Sequence, residues 1–325
     1  MKEGKSIKGI LGTVITAAIV VTLLVLGIVL SDKTLTPLQS STLKILIIIC
    51  VFSILYCFIV GELAQNFSQM DKLWSILPIT YTWVIAARSG MNLRCVIYAL
   101  LVTLWGIRLT YNFARKGAYS IRFWEGEEDY RWSIVHATKY FQKRIAWTAF
   151  DLFFISFYQN ALVLAICFPS LVSMESKVSI GPWDIAGYLL ALAFLILETV
   201  ADEYQWKFHC KKKELIAKEG SLDKIPAPYD LGFNTTGPWG RMRHPNYLGE
   251  QGFWMSLYLT ALGSGAASYG LFNWSMTGPL LLILLFMGSS TLAEKISSGK
   301  YPVYSEYIDK VYKYIPVHKF DAGRK

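Results

Sequence analysis

Apolar residues run along this chain in blocks of about 17–22, separated by shorter polar stretches. At 1.5 Å per residue such blocks cross a hydrocarbon core of roughly 30 Å. They predict spans over about residues 10–30, 43–61, 73–87, 95–113, 147–168, 183–201, 245–262 and 276–292. The third block is short and contains Pro78. Lys2, Lys5 and Lys8 ahead of the first block resemble the start of a signal peptide. That block is longer than an h-region, and no small-x-small site follows at Ser31–Asp32, so it reads as a retained helix. The pattern predicts an all-α, polytopic membrane helical bundle of about eight transmembrane helices.

Charge orients the predicted bundle. With the N-terminus cytoplasmic, segments 1–9, 62–73, 114–146, 202–244 and 295–325 hold 26 of the 32 lysines and arginines. The opposite segments, 31–44, 88–94, 169–182 and 263–275, hold five, and Arg108 lies inside the fourth span. The asymmetry predicts that both termini are cytoplasmic. It also accounts for the net charge of +9 without nucleic acid, for which no motif is present. The chain is 54% hydrophobic and 17% charged, whereas soluble domains average about 25% charged. Five scattered cysteines with no C-x-x-C favour buried thiols over a disulfide framework or a zinc site. His136, His209, His244 and His318 are far apart, and no metal site is expected. The expected setting is multi-pass, in the inner membrane of a bacterium or the endoplasmic reticulum of a eukaryote. The expected partners are membrane lipids and a lipid-soluble small molecule.

Chemistry concentrates at Gly237-Pro238-Trp239-Gly240-Arg241-Met242-Arg243-His244-Pro245-Asn246-Tyr247-Leu248-Gly249-Glu250. Pro245 suits a first helical position, where the missing N–H costs nothing. Asn246 and Glu250 are four apart and share a helix face, with Tyr247 beside them. Arg241, Arg243 and His244 would meet a helix N-terminus, a setting for an anion or phosphate. Glu250 lies a turn deeper among apolar residues, where a carboxylate needs a partner or a polar ligand. A basic loop anchoring a membrane helix explains the arginines equally well but leaves Asn246 and Glu250 unexplained.

Most other polar residues in and beside the spans gather at the predicted cytoplasmic ends. They are Glu62, Gln65 and Asn66, then Asp71, then Arg108, Tyr111 and Asn112, then Asp151, Glu198, Asp202 and Glu294. Ionisable residues in apolar helices are functional candidates, and several at one depth predict a polar cavity. Structural roles are open for each: Arg108 can snorkel to the headgroups, Asp71 can cap a helix, and Glu198 can pair with Arg108.

The motif Arg243-His244-Pro245-Asn246-Tyr247-x-Gly249-Glu250 resembles the C-terminal signature of the steroid 5-alpha-reductase superfamily. Its shorter form also resembles membrane methyltransferases of the isoprenylcysteine carboxyl methyltransferase type. Asn66 to Trp74, Trp105 to Asn112 and Glu128 to Trp132 are similar to an unassigned bacterial branch of the reductase superfamily. Tyr304-Ser305-Glu306-Tyr307 ahead of Ile315-Pro316 matches the tail of the group. The resemblance covers residues 43–320 and leaves residues 1–42 as an extra N-terminal helix. It implies a cytosol-facing NADPH site, with Asn246 and Glu250 at the nicotinamide end and Asp202 also on the cofactor. Arg108, Arg241, Arg243, His244 and Tyr247 are its expected neighbours. Steroid reductases polarise the substrate carbonyl with a Gln-Glu pair and a tyrosine. Here Gly61-Glu62 has no preceding Gln, Trp105 stands at the tyrosine position, and Tyr111 lies nearly two turns beyond.

The leading expectation is an NADPH-dependent reductase of a carbonyl-conjugated double bond in a lipid-soluble substrate. Glu62 and Tyr111 are its expected catalytic groups, with Asn66 and Asp71 behind them. Methyl transfer from S-adenosylmethionine to a lipid or lipidated acceptor, and a non-enzymatic membrane subunit, stay open.

Overall fold

A computed structural model describes residues 18–23, 25–26, 29, 34–266, 271–317 and 319–320. Among them every regular element is helical. From Pro37 on, and leaving aside short 3-10 turns, these are in chain order α1 (Pro37–Ala64), α2 (Gln69–Leu73), α3 (Leu77–Arg88), α4 (Leu93–Ala114), α5 (Tyr130–His136) and α6 (Arg144–Ser173). Then come α7 (Pro182–Glu219), α8 (Pro245–Gly263), α9 (Thr277–Lys300) and α10 (Tyr304–Lys310).

Five helical segments among the described residues are long and apolar enough to cross a membrane: α1, α4, α6, α7 and the segment Trp274–Lys300 that contains α9. They correspond to five of the eight predicted spans, and they make this a membrane protein. The first predicted span lies largely outside the described residues, and its described part is helical. The third is realised as α3, with 12 residues and a length of about 18 Å. Pro78 lacks an N–H and crowds the preceding turn, so the run from Leu73 breaks and restarts at Leu77. The seventh is α8, which begins at Pro245 as expected. Gly249, Glu250, Gln251 and Gly252 dilute its apolar character, and it is not among the five.

The chain divides into two compact units. The larger comprises Leu23–Leu189 and Met255–Leu281. Thr36 opens α1 with a reciprocal capping box to Gln39, followed by Pro37 at the first position. Two groups of loops close this unit. In one, Arg94 grips Asp184 through two contacts of 2.6 and 3.0 Å, with both side chains almost fully buried. The same guanidinium donates to the carbonyls of Val178, Ser179 and Gly263. Gly263 is needed there because a Cβ would run into the Asp184 carboxylate. Arg88 adds bonds to Ser41 and Thr42, Asn92 to the Ser176 carbonyl, and Ser176 to the Ser264 carbonyl. These are the segments the charge pattern places on one side.

In the other group, segments 62–73 and 114–146 meet. Lys72, fully buried, donates to the carbonyls of Phe123 and Glu125 at 2.8 and 2.6 Å. Tyr119 donates to the Lys72 carbonyl, and Gln69 to the carbonyl of Trp124.

The smaller unit comprises Met1–Thr22, Leu190–Trp254 and Leu282–Lys325. Its aromatic core joins Leu231, Phe233, Tyr304, Tyr307, Val311 and Phe320. The motif loop is sewn to the C-terminal segment: the backbone N–H groups of Arg243 and His244 donate to the carbonyls of Tyr312 and Lys313, both at 3.1 Å. Trp239 Nε1 donates to the Ala201 carbonyl at 2.8 Å, and the Tyr307 hydroxyl donates to the Trp239 carbonyl. Gly249 lets α8 approach α7: a Cβ there would lie 2.6 Å from that of Glu198.

Candidate functional site

In the smaller unit the first turn of α8 faces α7 through Asn246 and Asp202. Asn246 Nδ2 donates to Asp202 Oδ1 at 3.2 Å. A carboxylate only accepts, so Asp202 fixes which way the amide points, with Oδ1 turned the other way. That oxygen is buried and has no hydrogen-bond partner among the described residues. Glu250, one turn on, is buried and accepts from Trp254 Nε1 at 3.3 Å. Glu198 and Asp202 are buried as well. Asn246 and Glu250, grouped by their spacing, and Asp202, added to them by the resemblance, thus belong to one unit. An acceptor on Asn246 remains available to a donor group.

The basic residues of the motif take different positions. Arg243 is held by Glu294 at 2.8 Å and by the carbonyls of Ile308 and Val311. His244 Nε2 donates to the same Glu294 oxygen at 2.9 Å, and its ring stacks on Tyr247. Tyr247 meets Phe286 edge-on at 4.6 Å. Burial pushes the His244 imidazole below its ordinary range, while the hydrogen bond and charge of Glu294 pull the other way. Lys313 lies 3.7 Å from the second Glu294 oxygen, which completes a cation-rich cage around one carboxylate. Arg243 and His244 therefore hold the motif loop to the end of α9. Arg241 is exposed, as are Lys207, Lys211 and Lys213 on α7. Of the expected anion ligands in the motif, Arg241 is the one presented to solvent.

The residues expected on the substrate side belong to the larger unit. Glu62 ends α1 in an ion pair with Arg144 and accepts from Thr148 at 2.9 Å. Asn66 is buried in the following loop, where its Nδ2 donates to the Gly126 carbonyl at 3.0 Å and its Oδ1 accepts from the Ser68 N–H at 3.2 Å. Asp71 accepts from Trp132 Nε1 at 2.8 Å. Burial and the nearby Asp129 push the Asp71 carboxyl up. Burial works against Asp129 too, but the charge and hydrogen bonds of Arg131 hold that carboxyl below its ordinary range. Tyr111 is 63% exposed near the end of α4, with the Arg115 guanidinium over its ring. Arg108 is half-buried three residues before it. Asn66 and Asp71 share the loop junction, Glu62 sits just before it, and Tyr111 stands apart on the surface.

One feature of α6 has no counterpart in the sequence reading. Asp151–Tyr158 is π-helical, a geometry frequent at functional positions. It carries Asp151 and Ser156 into a buried stretch with Asn160. The available signal was the presence of Asp151, Ser156 and Asn160 within an otherwise aromatic and aliphatic run. Among the described residues no group of three His, Cys, Asp or Glu side chains could hold a metal ion.

The sequence has known relatives. The family model described as a protein of unknown function, DUF1295, matches residues 57–311. That family is linked to steroid 5-alpha-reductase-like proteins. An uncharacterized protein of Schizosaccharomyces pombe is 36% identical over 287 residues, which cover 82% of this chain and 79% of the relative. No solved structure matches the chain. The protein belongs to the DUF1295 family.

Proposed function

We propose that this protein is an integral membrane reductase that uses NADPH to saturate a carbonyl-conjugated double bond in a lipid-soluble substrate. The observation that carries the reading is the buried, unpartnered Oδ1 of Asn246, oriented by Asp202. An acceptor at that place suits the amide N–H of a nicotinamide carboxamide, and leaving it unmet costs about 1–3 kcal/mol. Glu250 supplies a second buried acceptor on the same helix face. Exposed Arg241, with Lys207, Lys211 and Lys213, offers positive charge for phosphates.

When bound, NADPH supplies a hydride to the β-carbon, and a proton at the α-carbon completes the reduction. The work of the chain is to orient the nicotinamide and to stabilise charge developing on the carbonyl oxygen. Asn246 and Asp202 would do the first. Tyr111, an exposed residue near the end of α4, is the proposed donor to the carbonyl oxygen. Glu62, held by Arg144 and Thr148, would order the end of α1 in this scheme. Asn66 and Asp71 would do the same for the following loop. An apolar groove in the larger unit, lined by Ile49, Phe52, Tyr56, Leu73, Leu77 and Phe123, suits a lipid-soluble substrate. Binding of NADPH, compared with S-adenosylmethionine, to the purified protein tests the reading.

A further inference from the structure

We infer that the larger unit contains a binding site for a monovalent cation, built where the π-helical turn of α6 faces α1. Asp151 is 1% exposed, and Ser156 and Asn160 are fully buried. Ser156 Oγ donates to Asp151 Oδ1 at 3.3 Å. Asn160 Nδ2 donates to the Ser156 carbonyl at 2.7 Å and lies 3.7 Å from the Cys57 sulfur. Asp151 reaches Ser156 from five residues before it, and Asn160 from four residues after. Both side chains thus meet Ser156, one at its hydroxyl and the other at its carbonyl. What remains over is Asp151 Oδ2 and Asn160 Oδ1, two buried oxygens with no hydrogen-bond partner among the described residues.

The opposite wall of this stretch is α1. Gly61 leaves room there: a Cβ at that position would stand 3.8 Å from Asp151 Oδ2. Cys57, one turn earlier, meets Asn160. The nearest basic side chain on α6, Arg144, is engaged by Glu62.

The chemistry of the leftover atoms selects the occupant. An ionised carboxylate and an amide oxygen accept and do not donate, so with Asp151 ionised the occupant must bring positive charge or donors, whereas a proton on Asp151 would meet the need without an ion and leave the midpoint independent of the salt. A lone carboxylate within a membrane-spanning helix is costly until its charge is cancelled. A monovalent cation cancels that single charge and takes several oxygen ligands together. A divalent ion would keep an uncancelled charge, since among the described residues Asp151 belongs to no group of three His, Cys, Asp or Glu side chains that could hold a metal ion. This site lies outside the cofactor reading and stands or falls apart from it.

The test is thermal unfolding of the full-length protein in detergent, in NaCl, KCl or choline chloride at equal ionic strength. The inference predicts a midpoint higher in Na⁺ or K⁺ than in choline, rising with concentration toward the logarithmic dependence of a ligand that binds the folded state. Asp151→Asn should lose that response and unfold no lower than wild type in choline. Asn160→Leu keeps the carboxylate and should weaken the response by roughly tenfold in cation concentration. Radioactive ²²Na⁺ bound by the wild-type protein and displaced by excess unlabelled NaCl gives a readout that needs no variant. Equal wild-type midpoints in all three salts without displaceable ²²Na⁺, or an undiminished response in Asp151→Asn, overturn the inference.

Discussion

Asn246 and Asp202 meet at 3.2 Å, amide to carboxylate, between the first turn of α8 and the middle of α7. The pair orients the amide, so it can be tested by exchange. Asn246→Asp sets two carboxylates against each other and should weaken NADPH binding by roughly tenfold or more. Asp202→Asn in the same chain restores an amide–carboxylate pair and should recover part of the loss of folded stability, but less of the binding, because the free oxygen then points differently. Cofactor titration and thermal unfolding of the single and double variants check this.

His244 gives the smaller unit a pH dependence of defined sign. Its folded pKa lies below the ordinary 6.5, because burial disfavours the charged ring despite Glu294, while Lys313 and Arg243 also oppose protonation. Below about pH 6.5 the unfolded chain takes up the proton first, so the stability contributed by the neutral ring is present above that pH and lost as pH falls through the depressed folded value. The melting midpoint should fall between about pH 7 and pH 5, and less so in His244→Gln, which keeps a donor to Glu294. Asp71, pushed up, changes with the opposite sign, and the difference between wild type and variant isolates the histidine.

Arg94 and Asp184 form a buried ion pair supported by three carbonyls. Arg94→Ala leaves a buried carboxylate alone and should cost about 3–5 kcal/mol. Arg94→Met combined with Asp184→Leu removes both charges and should regain part of that. An unfolding series on the three proteins measures it. Similar losses in the single and double variants would place the stabilisation in the carbonyl contacts.

Lys72 is a buried amine that holds the 114–146 segment through two carbonyls. Burial lowers its pKa, while Asp71 and Glu128 oppose the shift. Lys72→Met keeps the apolar stem and removes the donor, and should cost about 1–3 kcal/mol. Limited proteolysis should then cut between residues 114 and 146 sooner than in wild type.

The spans were legible because lipid demands long apolar runs, and five of them appear with helices extending a few residues past the predicted ends. α7 is the exception: it continues to Glu219, about 57 Å in all, because Glu203 to Lys218 remain good helix formers in water. The break at Pro78 was visible as a proline, but its consequence, a 12-residue helix, needed the packing of α3 on α4. The start of α8 at Pro245 followed from local chemistry alone. The fate of the motif's basic residues did not. Arg243 and His244 find Glu294 about fifty residues away, and no local pattern announces a partner at that separation. The π-helical turn at Asp151 was hidden for a related reason, since local periodicity does not distinguish it from an α-helix with three polar residues.

The central claim is tested most directly by heating the purified full-length protein in detergent with NADPH, NADH or S-adenosylmethionine. A ligand bound by the folded state alone raises the midpoint according to its concentration over its dissociation constant. NADPH should raise it, NADH should raise it less for want of the 2′-phosphate, and S-adenosylmethionine should leave it unchanged. Asn246→Ala should abolish most of the NADPH shift while leaving the midpoint without ligand within about 1 kcal/mol of wild type in stability. A shift with S-adenosylmethionine and none with NADPH would contradict the account.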